Sequence, residues 1–228
     1  HIAASGNYNL FTTTNATYDP TLHVEDCTVD AAYNVVYDSH NTQNFKSVYF
    51  GNSIVKMTVA NKPFYSTKSK GAYTQQSIRL ENNVFYAETP LQNYLINCGD
   101  RSQAFQTTRL QVEVTNNTIY NIYQPNIMIR AYVLAGLTVT KNVGYYTGVT
   151  AKNYLTGVYD TAGFTADKAE VTYNYLYTAP VSDTNFWSAK HTGSYTPANN
   201  QMGDGVEAPF SSMDAAKGYF PVDASVVK

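Results

Sequence analysis

A chain of 228 residues, 43% hydrophobic and 14% charged, is long enough to bury a substantial core as one large domain or two small ones. Fifteen basic against 17 acidic residues, net charge −2 and a pI near 6.1 give no global field that attracts nucleic acid or an anionic membrane. No run approaches the roughly 18–20 apolar residues of a membrane helix, and 21 Tyr beside one Trp, with abundant Asn and Thr, favour strands and turns over helix.

The chain opens at His1 with no leader and no initiating Met, which reads as a processed or trimmed piece. Residues 1–21 read as a leading strand or partial rung. From Leu22 one register recurs six times: LHVEDCTV, VYFGNSIV from Val48, IRLENNVF from Ile78, VEVTNNTI from Val112, LTVTKNVG from Leu137 and AEVTYNYL from Ala169. The first and third positions of each are apolar, and the second and fourth mostly polar. That is the period-two alternation of a strand with one buried face. The sixth position is Cys27, Ser53, Asn83, Asn117, Asn142 and Asn174; Asn tolerates the left-handed conformation, so this position is expected to be a repeated sharp corner. Apolar residues return two positions on, at Val29, Val55, Phe85, Ile119 and Leu176, with Gly144 the exception.

About ten residues beyond each corner another strand-like stretch begins, at Asn34, Lys62, Asn93, Asn126, Asn153 and Asn185. Each turn of chain thus carries three short strands, and the corners recur at irregular intervals of 25 to 34 residues. Helical repeats of fixed length do not fit that spacing; a stacked coil with loops of variable length does. The expected fold is all-β, a parallel β-helix of about six three-strand rungs. Rungs at residues 22–191 lie between an N-terminal cap at 1–21 and a C-terminal cap at 192–228, with one helical turn expected near Met213–Lys217. Rungs about 4.8 Å apart would set Asn83, Asn117, Asn142 and Asn174 over one another as an amide ladder. A β-sandwich would need hairpin dipeptides, and Asp204-Gly205, past the last rung, is the only one of the Asn-Gly or Asp-Gly type. Cys27 and Cys98 fall on different strands two rungs apart, too far for a disulfide, and are expected to be free thiols.

The phrases IRLENNVFYA and VEVTNNTIYN resemble rungs of the right-handed parallel β-helices of the pectate-lyase-like superfamily. The tail APFSSMDAAKGYFPVDASVV is similar to the closing segment of secreted bacterial members, surface domains encoded beside polysaccharide-utilisation genes. The resemblance spans roughly residues 22–223 and departs from the pattern at Ala208, where Asp usually precedes the Pro. It implies an extracellular or bacterial cell-surface setting and a polysaccharide or oligosaccharide partner, pectic or otherwise acidic.

The catalytic signatures of that superfamily are not intact. Pectate lyases gather carboxylates around Ca²⁺ and use Arg as base, and polygalacturonases use several close Asp. This chain has no Asp-Asp, Asn-Thr-Asp, His-Gly or Arg-Ile-Lys set. His1 and His23 lack ligand partners at useful spacing, so no metal and no cofactor is expected, Ca²⁺ entering only under a lyase alternative.

Polar and aromatic residues do accumulate at the ends of the third strands: Asp38 and His40, Lys68, Asp100 and Arg101, Arg130, Tyr159 and Asp160, then Trp187, Lys190 and His191. Such a mixture serves sugar binding, rings against apolar sugar faces and charged donors for hydroxyls and uronates. Asp100, Arg101 and Arg130 form the trio best suited to an acidic sugar; the plainer account is strand ends meeting solvent. A second strip, Tyr86, Tyr120, Tyr145 and Tyr177, recurs at the ninth position and fits either a structural aromatic ladder or an extended sugar platform. Three functions follow: a non-catalytic polysaccharide-binding domain, a divergent lyase or hydrolase using Arg101 or Arg130 with Asp100 and Asp160, and an adhesive or spacer module without a ligand.

Overall fold

The computed structural model describes residues 1–4, 9–12, 20–31, 33–38, 45–67, 75–98, 109–124, 128–131, 134–147, 153–158, 169–179, 184–188, 197–202 and 207–227. Three parallel sheets account for every named strand. In chain-order numbering, sheet I holds β1 (Ile2–Ala4), β4 (Thr28–Ala31), β7 (Ile54–Met57), β10 (Val84–Gln92), β13 (Thr118–Tyr123), β16 (Val143–Thr147), β19 (Tyr175–Ala179) and β21 (Gln201–Met202). Sheet II holds β2 (Phe11–Thr12), β5 (Val36–Asp38), β8 (Tyr65–Thr67), β11 (Ile96–Cys98), β14 (Ile129–Ala131), β17 (Asn153–Val158) and β20 (Thr184–Ser188). Sheet III holds β3 (Thr21–Glu25), β6 (Ser47–Gly51), β9 (Gln75–Glu81), β12 (Arg109–Thr115), β15 (Leu134–Thr140) and β18 (Ala169–Thr172).

The chain visits sheets I, II and III in turn, so each strand pairs in parallel with the strand one turn later. This is a parallel β-solenoid. The stack differs from six three-strand rungs at its ends. Strands β1 and β2 add a leading partial turn, β21 extends sheet I, and a parallel bridge from Thr172 to Ala198 prolongs sheet III. No helix occurs among the described residues. At Met213–Lys217 the chain instead makes a hydrogen-bonded turn, closed by the antiparallel pair Asp214 and Tyr219.

Alternation fills the interior. Sheet III contributes Phe50, Leu80, Val114, Val139 and Val171, sheet I Val29, Val55, Phe85, Ile119 and Leu176, and sheet II Val36, Tyr65, Ile96 and Ile129, all buried. Phe50, Phe64 and Phe85 meet edge to face with ring centroids 4.9 Å apart, the preferred aromatic geometry. Gly144 breaks the apolar column because the Leu176 side chain of the next rung lies 2.6 Å from where its Cβ would stand. Cys27 and Cys98 are both free.

The corner between sheets III and I is built differently from the expectation. The left-handed residue is the fifth position, not the sixth: Asp26, Asn52, Asn82, Asn116, Lys141, Tyr173 and Asn199 have φ of 48° to 58°. All seven are exposed. The sixth-position residue turns inward as a rung of a buried ladder. Asn117 Oδ1 accepts from the Asn83 backbone N–H (2.9 Å) and Nδ2 (3.0 Å), and Asn117 Nδ2 donates to Leu80 O, Thr115 O and Asn142 Oδ1, each at 3.0 Å. The same bonds join Asn142 to Asn174 and Asn174 to Asn200, at 2.8–3.0 Å. Ser53 shortens the motif, accepting from the Cys27 N–H at 3.1 Å and donating to Gly51 O at 2.7 Å. Asn200, assigned to the cap from sequence, is therefore a further rung of the ladder.

Residues 207–227 fold back along the outside of sheet I. Phe210 and Phe220 are buried there with Tyr86, Val143 and Tyr175, and Ile54, Tyr120, Tyr145, Tyr177, Val226 and Val227 pack around them. The Tyr175 hydroxyl donates to Glu207 O at 2.6 Å. Burial raises the pKa of both Tyr86 and Tyr175, with nearby carboxylates Asp30 and Glu88 adding at Tyr86 and Glu207 at Tyr175; Lys56 opposes at Tyr86. The folded chain holds these protons more tightly than the unfolded chain, so their contribution to stability is complete below pH about 10 and is lost as pH rises above it. A melting series through that range is expected to show a steep alkaline decline that the Tyr86→Phe/Tyr175→Phe variant makes shallower; equal slopes would contradict it.

Candidate binding face

Because the pleat alternates, sheet III presents three outward columns, each aligned across rungs by the strand register. The first is Thr21, Ser47, Ser77, Gln111 and Gly136; the second His23, Tyr49, Arg79, Glu113, Thr138 and Glu170; the third Glu25, Gly51, Glu81, Thr115, Thr140 and Thr172. Short hydroxyl side chains set side by side in the first column, at Thr21, Ser47 and Ser77, make a trough along the stacking direction. It is an open groove of about 350 Å³ lined by Thr21, Lys46, Ser47 and Ser77, at the lower end of ligand-site volumes. Toward the later rungs it closes where the Gln111 side-chain amide lies over Gly136, its Oε1 2.6 Å from where a Cβ would be.

The second column begins with a stack of unlike side chains, His23, Tyr49 and Arg79. The Tyr49 ring lies 4.5 Å from the His23 ring, tilted by 36°, on one side and 5.7 Å from the Arg79 guanidinium on the other. It leans along its own strand into space that Gly51 leaves empty; a Cβ there would collide with the Tyr49 hydroxyl. Arg79 Nη2 meets Glu81 at 2.7 Å and its Nε meets Glu113 at 3.6 Å, while His23 Nε2 lies 3.3 Å from Glu25. Asn52 Nδ2 donates to Glu25 Oε1 at 3.1 Å, and Asn82 Nδ2 to Asn52 Oδ1 at 3.2 Å. Burial, then the charges of Glu25 and Glu81, raise the Tyr49 phenol pKa, against the opposing Arg79. The phenol is thus a neutral hydrogen-bond donor at neutral pH. Gly51→Ala is expected to push the ring off its strand and remove the ring-current shift it imposes on His23, with little change in melting temperature; an unshifted His23 spectrum would contradict this packing.

The residues expected to form a polar edge are placed as follows. Asp100, Arg101, Tyr159, Asp160, Lys190 and His191 lie outside the described residues, as do His40 and Lys68. Arg130 stands on sheet II in register with Asn97. Its Nε and Nη2 both donate to Asn97 Oδ1, the Nε at 2.9 Å, and its guanidinium sits 4.9 Å from the Tyr94 ring centroid. Trp187 pairs with Thr156, in the register column of Val36, Tyr65, Ile96 and Ile129, whose described members are buried.

The tyrosine strip exists as a column against which the C-terminal segment packs, burying Tyr86 and partly burying Tyr120, Tyr145 and Tyr177. Tyr120 and Tyr145 stack at 5.3 Å and Tyr145 and Tyr177 at 5.0 Å, nearly parallel. Phe220 lies on Tyr120 at 4.2 Å, and Tyr86 is only 5% exposed. These rings are the floor on which the C-terminal segment packs. What sequence reasoning missed, the group Thr21, Ser47 and Ser77, was signalled by the position just before each repeat, where three successive rungs carry a hydroxyl.

Among the described residues no three His, Cys, Asp or Glu converge as a metal site would. No protein-family model, no curated protein and no solved structure matches the chain. The parallel β-solenoid is shown by its own strand pairing, and kinship within that architecture by none of these comparisons.

Proposed function

We propose that this β-solenoid is a non-catalytic polysaccharide-binding domain, working outside the cell or at the bacterial cell surface, with the trough of sheet III as its binding face. The observation that carries the proposal is the alignment of Thr21, Ser47 and Ser77 across three rungs as the lining of an open groove, one register column from His23, Tyr49 and Arg79. A groove that runs with the stack suits an extended polymer, and a floor of hydroxyls beside a phenol, amides and carboxylates suits a ligand made of hydroxyls. The cell-surface setting is supported by the resemblance of the rungs and tail to secreted β-helix domains. The lyase alternative draws no support from Arg130, whose guanidinium is occupied by Asn97 and Tyr94.

A spacer without a ligand is the second reading, favoured by one observation: the corner ladder runs unbroken from Cys27 to Asn200 and ties successive turns into a stiff stack. Affinity electrophoresis through gels containing a panel of soluble polysaccharides separates these. The proposal expects retardation by at least one polymer without new reducing ends or unsaturated products, and loss of that retardation in Ser47→Trp, which fills the trough. Retardation by none would leave the spacer, and product formation would establish the enzyme.

A further inference from the structure

The trough of sheet III is closed at one end, and what closes it bears on which part of a glycan enters. Thr21, Ser47 and Ser77 stand one per rung, so at about 4.8 Å between rungs the groove they line runs for about 10 Å. At its first rung it reaches β3, the last strand of sheet III. At its far end the same column continues as Gln111 and Gly136, and there the hydroxyls stop. The Gln111 carboxamide lies over the buried Gly136, with Oε1 2.6 Å, Nε2 3.0 Å and Cδ 3.1 Å from where a Cβ would stand.

The strand pairing breaks at the same place. Strands β12 and β15 pair Leu110 with Leu134 and then Gln111 with Gly136, which leaves Ala135 as an extra residue. The other pairings of sheet III run without a shift. A bulge of this kind re-aims a side chain. An unshifted register would set Gln111 opposite Ala135, whose methyl would hold the amide off the strand; the shift sets it opposite the residue that has no Cβ.

A blind end discriminates between the parts of a polymer. An interior stretch has to leave the groove at both ends, and at Gln111 it would climb over the amide and lose its contact with the sheet. A chain terminus stops there. The terminal sugar also carries a free hydroxyl where an interior one has a glycosidic oxygen. A hydroxyl both donates and accepts, and the carboxamide offers a partner for each role; a glycosidic oxygen only accepts.

We infer that the sheet III trough takes the end of a glycan chain and not its interior, and that Gln111 is the specificity-determining residue that stops the chain. This rests on the glycan-binding reading of the same trough and adds which part of the polymer enters it.

The test is affinity electrophoresis of the full chain through xylan, β-glucan, galactomannan and polygalacturonate, each intact and partly hydrolysed, at equal mass. Cutting chains multiplies their ends at constant mass. Retardation of the parent is therefore expected to rise about tenfold when chains are cut to about a tenth of their length, because occupancy follows the concentration of ligand sites. In Gln111→Ser, which carries the hydroxyl column one rung further, intact polymer is expected to retard as strongly as cut polymer. Gln111→Ala removes the same stop without adding a hydroxyl and should show the same equality. Equal retardation of the parent by intact and cut polymer, abolished by Ser47→Trp, would overturn this inference and leave the glycan-binding reading intact. A dependence on chain ends that persists in both Gln111→Ser and Gln111→Ala would overturn the role given to Gln111. Retardation by no polymer, or retardation that neither Ser47→Trp nor Ser77→Trp reduces, would overturn both readings.

Discussion

Asn117→Ala is expected to lower the unfolding free energy by about 4 kcal/mol, a loss well beyond that of an ordinary surface change. The truncation removes a side chain that is fully buried and holds five groups at once. The Asn83 N–H loses its acceptor, Asn83 Nδ2 and Asn142 Oδ1 each lose one partner, and Leu80 O and Thr115 O lose the amide donor. A buried polar group left unpaired costs about 1–3 kcal/mol; Asn83 Nδ2 keeps its bond to Phe50 O, Asn142 Oδ1 that from the Asn117 N–H and Thr115 O that from the Asn82 N–H, so the total stays below the sum of five full penalties. The neighbouring Asn116 is exposed, with φ of 55°. Asn116→Ala should cost only about 1–2 kcal/mol, the left-handed penalty of a residue with a Cβ, and Asn116→Gly should cost nothing measurable. Urea unfolding of the three variants checks the ordering; a benign Asn117→Ala beside a damaging Asn116→Gly would contradict the ladder.

Phe220→Ala carries the second large effect, about 3 kcal/mol. The ring is buried between Tyr120 at 4.2 Å, Phe210 at 5.7 Å and Tyr86 at 5.9 Å, the centre of the cluster that holds the C-terminal segment to sheet I. The loss should fall on that segment first, since its remaining hold on the sheet is a few side chains and the Tyr175–Glu207 bond. Amide exchange is therefore expected to quicken at Ser211, Asp214, Tyr219 and Asp223, whose N–H groups bond within the segment, before it quickens along the Asn ladder. Gly218 provides an independent probe. Its φ is +62°, and a Cβ there would stand 2.8 Å from Ile54 Cγ2 and Tyr86 Cε1, so Gly218→Val should release the same segment. Tyr219→Ala, at a residue 59% exposed, should change stability by no more than about 0.5 kcal/mol. Equal losses at Phe220 and Tyr219 would show that the segment is not anchored as described.

The solenoid was legible because its repeat is written twice, as period-two apolar positions and as the sixth-position Asn. The exchange of corner and ladder was less legible. Asn suits both a left-handed turn and an amide stack, and composition alone does not distinguish them. The structure separates the roles by what each position demands: the ladder needs one group that accepts twice and donates along the stack, which among side chains is the Asn amide, whereas the corner, held open to solvent by its neighbours' bonds, accepts Asp, Asn, Lys and even Tyr173. Asn200 was missed although Asn199-Asn200 repeats the pairs Asn82-Asn83 and Asn116-Asn117, because its flanking strands are shortened to Ala198 and Gln201–Met202.

Site residues proved harder to read than the fold. Sheet II strands lack a marker like the Asn corner, so the sequence pattern does not number them to within one residue. The tyrosine column was read correctly in its alignment, but its cover comes from residues some 35 to 130 positions later, a distance across which sequence pattern carries no signal. The trough was hidden for a different reason. Serine and threonine at a strand's outer face are unremarkable singly, and only the register that sets Thr21, Ser47 and Ser77 side by side gives them a common surface.

Side-chain amide contacts across the stack test the central claim most directly. In a nuclear Overhauser spectrum with assigned asparagine amides, the solenoid requires cross-peaks from the Asn83 side-chain NH₂ to the Asn117 backbone region, and likewise from Asn117 to Asn142, Asn142 to Asn174 and Asn174 to Asn200, in one unbroken series with slow exchange. Cross-peaks that instead join β9 to β12 as antiparallel neighbours, with the Asn83 and Asn117 amides apart and exchanging freely, would contradict the stacked architecture and the trough built on its register.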